Sequence, residues 1–166
     1  MVAAIWRRRP RRGGLLVDTL AVDREMALRR VLSARVGRLA TLDPDGSPHL
    51  VPVVFVIHGE TLYTAVDGKP KRSRRLRRIE NARERPAVSV LVDHYDDDWS
   101  TLWWVRLDGR ARVLDSGDEA ELALRLLIAK YEQYQHERPG VPVLALDIRD
   151  WSGWQARADE APSSDV

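Results

Sequence analysis

The sequence contains no cysteine. Disulfides, thiolate zinc sites and cysteine nucleophiles are therefore excluded. A reducing compartment is compatible, and a cytoplasmic location is the expectation. No apolar run approaches the roughly 18 to 20 residues that a helix needs to cross a bilayer, so no membrane partner is expected. The common site motifs are missing too: there is no GxGxxG after a strand, no GxxxxGKS/T, no GxSxG and no HExxH. The four histidines, His49, His58, His94 and His136, are scattered. Asp93, His94, Asp96, Asp97 and Asp98 crowd one loop without the spacing of a metal-binding loop. A solvated turn is expected there, and no metal. No nucleophile or acid–base pair stands out, so no catalytic side chain is assigned. If the protein is an enzyme, a bound cofactor carries the chemistry.

What the sequence does have is charge, placed unevenly. The 166 residues suit one domain with one core, and 44% hydrophobic and 31% charged residues are ordinary for a soluble protein. The net charge is +2, but residues 1–14 hold Arg7, Arg8, Arg9, Arg11 and Arg12 and no acid; without those five charges the remainder stands at −3. A globally basic nucleic-acid binder would not be built so, and nucleic acid is disfavoured. The opening MVAAIWRRRPRRGG could pass for a signal n-region, yet no apolar segment of adequate length follows. Residues 1–17 are expected to be a disordered basic extension, or the product of an upstream start. Residues 18–155 are expected to fold, and 156–166, small, polar and acidic, to be a loose tail.

Along the chain, VDREMALRRVLSARV places Met26, Ala27, Val31 and Leu32 at helical spacing, with Asp23 a candidate N-cap. Val36–Leu42 is β-rich and leads into DPDG, Asp43–Gly46, a turn. Pro48–Ile57 reads as a strand whose Pro52 requires an edge, a bulge or a ligand-facing backbone. His58–Glu60 is a turn and Thr61–Val66 a third strand. Ala87–Asp93 reads as a buried strand, and Thr101–Leu114 as a long strand or hairpin with Asp108-Gly109 at a bulge or turn. Asp118 can cap a helix over DEAELALRLLIAKYEQY, with Leu122, Leu126, Ile128, Ala129 and Tyr131 among its apolar positions. PGVP then breaks the chain, and VLALDIRDW gives a last strand. The expectation is a mainly β protein, a nearly closed antiparallel barrel with flanking helices.

The stretch KPKRSRRLRR, Lys69–Arg78, has seven basic residues in ten and no acid. Ser73 can open a helix over SRRLRRIENARE, whose narrow stripe of Leu76, Ile79 and Ala82 would lie on a surface. Lys69, Lys71 and Arg72 precede that start. Cations beside a helix N-terminus with a hydroxyl form a phosphate site. Arg77, Arg78, Arg83 and Arg85 alternate with Glu80 and Glu84 and read as solvated helix surface. None of the six tryptophans interleaves with the run as a base-stacking platform would.

Taken in order, GRLATLDPDGSPHLVPVVF, LYTAVDGKPKRSRRL, AVSVLVDHYDDDWS and a late WSGW resemble the split β-barrel flavin and deazaflavin oxidoreductases. This is the pyridoxamine 5'-phosphate oxidase-like superfamily, and the resemblance is to its coenzyme F420-dependent branch. It covers about residues 21–155. It implies a six- to seven-stranded split barrel that forms a homodimer, with the cofactor in a groove between subunits. His49-Leu50-Val51-Pro52-Val53-Val54 resembles the strand whose backbone faces the ring, so Val51, Pro52 and Val53 would contact it. Thr64 and Ala65 would flank the ring or its side chain. Lys69, Lys71, Arg72, Ser73 and Arg75 resemble the cation cluster for the cofactor phosphate. Trp99 resembles an aromatic that reaches the cofactor from the partner subunit. Trp151 and Trp154 are candidates to cap the ring pocket or to fill a tryptophan-rich dimer core. The implied activity is hydride transfer from reduced F420 to a small organic substrate, with FMN as the alternative cofactor. A non-catalytic cofactor-binding protein of the same fold and a nucleic-acid module are the rivals. F420 carries a phosphate and a chain of glutamates, which suits a long cationic surface better than FMN does.

Overall fold

The computed structural model describes residues 24–66 and 76–156. Helix α1, Arg24–Ser33, buries Ala27 and Val31 and leaves Leu32 exposed. Strands β1, Gly37–Leu42, and β2, Pro48–Val53, form a hairpin over the DPDG turn. Gly46 closes that turn by donating to the Asp43 carbonyl at 2.8 Å, with φ +88°, a conformation glycine reaches without a Cβ penalty. β3, Val56–His58, and β4, Thr61–Val66, form a second hairpin. Helix α2, Arg77–Glu84, leads into β5, Ala87–His94. A 3₁₀ turn, Trp99–Thr101, then introduces β6, Trp103–Leu114. Helices α3, Asp118–Lys130, and α4, Gln133–His136, precede β7, Gly140–Gln155.

The seven strands form one antiparallel sheet in the order β2-β1-β5-β6-β7-β4-β3. β2 and β3 are consecutive in the chain yet occupy opposite edges, joined by Val54 and Phe55 alone. The sheet thus curls into a barrel that stays open at this seam, as the resemblance implied. Pro52, which cannot donate to a ladder, sits in edge strand β2. The barrel interior is filled by Leu39, Phe55, Leu62, Val90, Leu107 and Leu146, and α2 contributes Ile79 and Ala82. α3 covers the other face of β4 and β7 through Ala123 and Leu127. Both faces of β4 are therefore buried, which is why Leu62, Tyr63, Thr64 and Ala65 are buried in succession instead of alternating.

Phe55 is fully buried at the seam, where its backbone leaves the ladder. A buried, unpaired peptide group is costly. The Tyr131 hydroxyl supplies the partner. It accepts the Phe55 N–H at 3.0 Å. Its single proton faces the Phe55 carbonyl at 2.7 Å and the Arg35 carbonyl at 2.9 Å. Burial holds the phenol above its ordinary pKa, so it remains a donor across the working range.

Several sequence expectations are revised. The run Pro48–Ile57 is two strands, because the chain changes edges at Val54 and Phe55. Of the two alternatives left open for Thr101–Leu114, the long strand with a bulge at Asp108-Gly109 is the one found, and a Cβ at Gly109 would run into the Asp147 carbonyl. Asp118 does not cap α3. Gly117 occupies that position with φ +100° and offers its carbonyl to Glu121, so Asp118 lies inside the acidic first turn that suits the helix dipole. α3 ends at Lys130, where Tyr131 turns extended to reach the seam. Its buried face is centred on Ala120, Ala123 and Leu127, and Ala129 is exposed. The last strand runs through PGVP from Gly140 to Gln155. The candidate cap Asp23, the extension 1–17 and the tail beyond residue 156 lie outside the described residues.

Two measurements check this architecture. Tyr131→Phe leaves the Phe55 N–H and carbonyl buried without a partner, and urea denaturation is expected to show a loss of about 1–3 kcal/mol. The second concerns the ion-pair network that fastens α3 to the sheet. Arg112 bridges Glu119 and Asp147, each at 2.8 Å, and Tyr63 donates to Glu119 at 2.9 Å. The Arg112 guanidinium is the main reason that both carboxyl groups sit below their ordinary pKa. Depressed carboxylate pKa values stabilise the fold above the unfolded range, about pH 4, and that contribution is lost as pH falls through the folded values. Wild type should therefore lose more of its urea midpoint between pH 7 and acid than Arg112→Gln does. The gap stays small because the pairs are partly solvent-screened.

Candidate functional site

A groove of about 380 Å³ opens where β2, β4 and α2 converge, lined by Val36, Val51, Pro52, Val53, Val54, Thr64, Ala65 and Arg78. Five residues expected from the resemblance, Val51, Pro52, Val53, Thr64 and Ala65, meet there although 13 positions separate the β2 and β4 groups at Thr64 and Val51. One wall is an edge strand interrupted by proline, the opposite wall is β4, and the mixed lining, apolar side chains beside polar edge groups, can take a flat ring that carries hydrogen-bonding atoms. Arg78 adds the cation.

The expected phosphate cluster, Lys69, Lys71, Arg72, Ser73 and Arg75, lies outside the described residues. Its two flanks do not. The chain leaves β4 just after Ala65 and re-enters just before Arg78, and both of those residues line the groove. The helix, however, begins at Arg77, with Leu76 extended at the cap position and no side-chain cap. Ser73 does not open it. Leu76 packs partly against the core and Arg77 is held elsewhere, so the chain turns helical later than the basic pattern indicates.

Three of the arginines read as solvated surface have specific partners. Arg77 pairs with Asp43 at 2.7 Å, Arg83 with Asp115 at 2.6 Å, and Arg85 donates to the Pro44 carbonyl at 2.5 Å. Arg78 belongs to the groove. The helix is keyed by a residue the sequence analysis passed over. Asn81, only 3% exposed, donates to Thr41 at 3.0 Å and to Asp43 at 2.8 Å. Asp43, the first residue of the DPDG turn, thus holds both Asn81 and Arg77. The signal was an amide next to the stripe Ile79 and Ala82, where a wet face would put a charge. This network fixes the rotation of α2 and hence where Arg78 points its stem.

Trp99 does not line the groove of its own chain. It stands 77% exposed in the 3₁₀ turn, which Asp98 caps through the Ser100 N–H. Asp98 is held below the ordinary carboxyl range by its bonds to Ser100. Trp151 and Trp154 do not line the groove either. Trp151 packs on the core, and Trp154 faces Trp104 across the β6–β7 ladder. On the sheet face opposite the core, a second concavity of about 410 Å³ is lined by Ala40, Leu50, Leu91, Tyr95 and Trp104, with Arg38 and Asp93 paired at 3.1 Å within it. Leu50 there is 64% exposed. No cluster of three or more metal-ligating side chains occurs among the described residues. No helix among them is long and apolar enough to cross a membrane.

Asn81→Ala should lower stability by about 1–3 kcal/mol, because Asp43 and Thr41 lose a buried donor. Thermal denaturation checks it, and Asn81→Asp, which sets a second carboxylate beside Asp43, is expected to be worse.

Known proteins match this arrangement. The family model described as pyridoxamine 5'-phosphate oxidase matches residues 25–155. No curated protein matches the chain. Among solved structures, a conserved hypothetical protein of Mycobacterium tuberculosis is similar at 22% identity and TM-score 0.67, over 93% of this chain and 97% of that one. An FAD-binding protein of Mesorhizobium loti shares 25% identity at TM-score 0.63, over 82% of this chain and 96% of that one. A heme-binding protein of Mycobacterium smegmatis shares 20% at TM-score 0.65, over 81% of this chain and 55% of that one. At such identities the first and third show a common fold alone. With the family model spanning the whole barrel, the chain belongs to the pyridoxamine 5'-phosphate oxidase family.

Proposed function

We propose that the protein is a homodimeric oxidoreductase that binds coenzyme F420 in the β2–β4 groove and reduces a small organic substrate stacked over its ring. The observation that carries this is the groove itself: Val51, Pro52, Val53, Thr64 and Ala65 form its walls, and Arg78 stands where the basic segment rejoins the fold. The described residues suit such a group: aliphatic side chains for the ring faces, polar backbone and Thr64 for its edge, and a cation at the rim. When bound, the reduced deazaflavin would supply a hydride, with a proton from solvent balancing the two-electron reduction of the substrate. The protein's part is to place the ring, exclude water and neutralise the ligand's charge. Lys69, Lys71, Arg72, Ser73 and Arg75 are assigned to the phosphate, and the cations up to Arg78 to the glutamate tail.

The second copy is assigned to the exposed sheet face around Leu50, Leu91 and Trp104, a largely apolar concavity at which Leu50 is left exposed. Trp99 of each subunit would then reach the other's cofactor. A second reading, a flavin-bound protein, is favoured by the Mesorhizobium loti FAD-binding protein at 25% identity. Nucleic acid receives no support from the described surface, and a cytoplasmic setting fits the absence of cysteine.

Fluorescence titration with oxidised F420 and, separately, FMN at moderate salt tests the reading. Saturable binding of F420 with a weaker response to FMN is expected. A Lys71→Glu and Arg72→Glu double variant should weaken binding by about tenfold or more, as expected for lost charge-assisted bonds. Tighter binding of FMN would move the assignment to a flavoprotein, and binding of neither to a folded dimer would overturn it.

A further inference from the structure

Beside the groove two cations share one tyrosine. The Arg35 guanidinium lies 5.1 Å from the Tyr131 ring centre and the Lys130 ammonium 5.6 Å from it. The same ammonium stands 4.5 Å over the Phe55 ring. Arg29, Arg38, Arg77, Arg83, Arg106 and Arg112 each have a carboxylate partner. Neither Arg35 nor Lys130 makes an ion pair with a described residue. Lys130 is half-buried, and its pKa is lowered first by burial and then by the charge of Arg35. Two like charges at one ring, with no carboxylate partner among the described residues, disfavour each other's charged form, and an oxyanion held by both would reverse the sign of that interaction. Aromatic faces offset only part of the cost.

The position matters as much as the charge. Arg35 immediately precedes Val36, and Phe55 immediately follows Val54; both valines line the groove. We infer that Arg35 and Lys130 form an oxyanion site at the seam edge of the groove, built from residues outside the basic segment that Arg78 adjoins, and that it takes a carboxylate or phosphate other than the ligand's first phosphate. This deepens the cofactor reading above and rests on it for the ligand's identity. FMN has one phosphate and no further anion, so it would leave the pair unfilled. A ligand with a second anionic group, such as the glutamate chain of F420 or a carboxylate of the substrate, would fill it.

The test uses the full chain, labelled with ¹⁵N. Inorganic phosphate should shift the amides of Val36, Phe55 and Tyr131 saturably, and Lys130→Gln should abolish those shifts. Arg35→Gln, at an exposed side chain, repeats the experiment in case Lys130→Gln disturbs the seam. Shifts confined to Leu76–Arg78, or unchanged in both variants, would overturn the site. Ligand titrations then separate the sources. If the second anion belongs to the cofactor, Lys130→Gln weakens F420 by about tenfold and leaves FMN within about twofold. If it belongs to the substrate, both cofactors bind the variant as they bind wild type, and a free dicarboxylate still competes with phosphate at Val36 and Phe55 in wild type. Equal weakening of F420 and FMN would contradict an oxyanion role. If neither cofactor binds wild type while phosphate still shifts Val36 and Phe55, the F420 reading fails and the anion site stands.

Discussion

One hydroxyl group holds the architecture at its weakest point. A barrel whose edge strands are consecutive in the chain must pass from one edge to the other, and the crossing residue cannot keep its ladder bonds. Here that residue is Phe55, with a side chain filling the core and a backbone stranded at the seam. Tyr131 answers both its N–H and its carbonyl. The consequences spread outward. α3 stops at Lys130 so that Tyr131 can extend, and Val54 is held in the groove wall next to Phe55. Lys130 is drawn over the same rings. A closed barrel would have paired β2 with β3 and left no edge backbone to face a ligand.

A second constraint works from the opposite side. Asp43 follows β1 directly, is buried, and gathers Asn81 and Arg77 from α2. The turn that the sequence marks as DPDG is therefore also the anchor of the helix that carries Arg78. The groove lies between these two fixed points, the seam and the Asp43 anchor. Its walls come from strands and a helix, which is what the proposed positioning of a ring would require.

Much of this was legible in the sequence for local reasons. Turn chemistry at DPDG and HGE, the alternation of Gly37–Leu42 and the proline in β2 each have a short-range cause, and β1, the start of β2 and β4 fell where those signals put them. The groove walls were reached through the order of motifs, not through any residue's own chemistry. What stayed hidden was long-range. Nothing near Val54 says that the chain changes edges there, because the partner that permits it is 76 residues away in Tyr131. Ser73 looked like a helix start because its neighbourhood has capping chemistry, but Asp43, brought in by tertiary contact, decides the register instead. Arg78 was indistinguishable from its neighbours in a run of like charges, and only the helix rotation set by Asn81 separates it from them.

The central claim is that the seam-side backbone of β2, together with β4, is the ligand wall. Hydrogen–deuterium exchange with and without F420 addresses it directly. The account predicts that ligand slows exchange at Val51, Val53 and Val54 and at Thr64 and Ala65, while the β6–β7 ladder around Ala111 and Leu146 is unchanged. Protection absent from those five amides, and found instead on the face around Leu50 and Trp104, would contradict it.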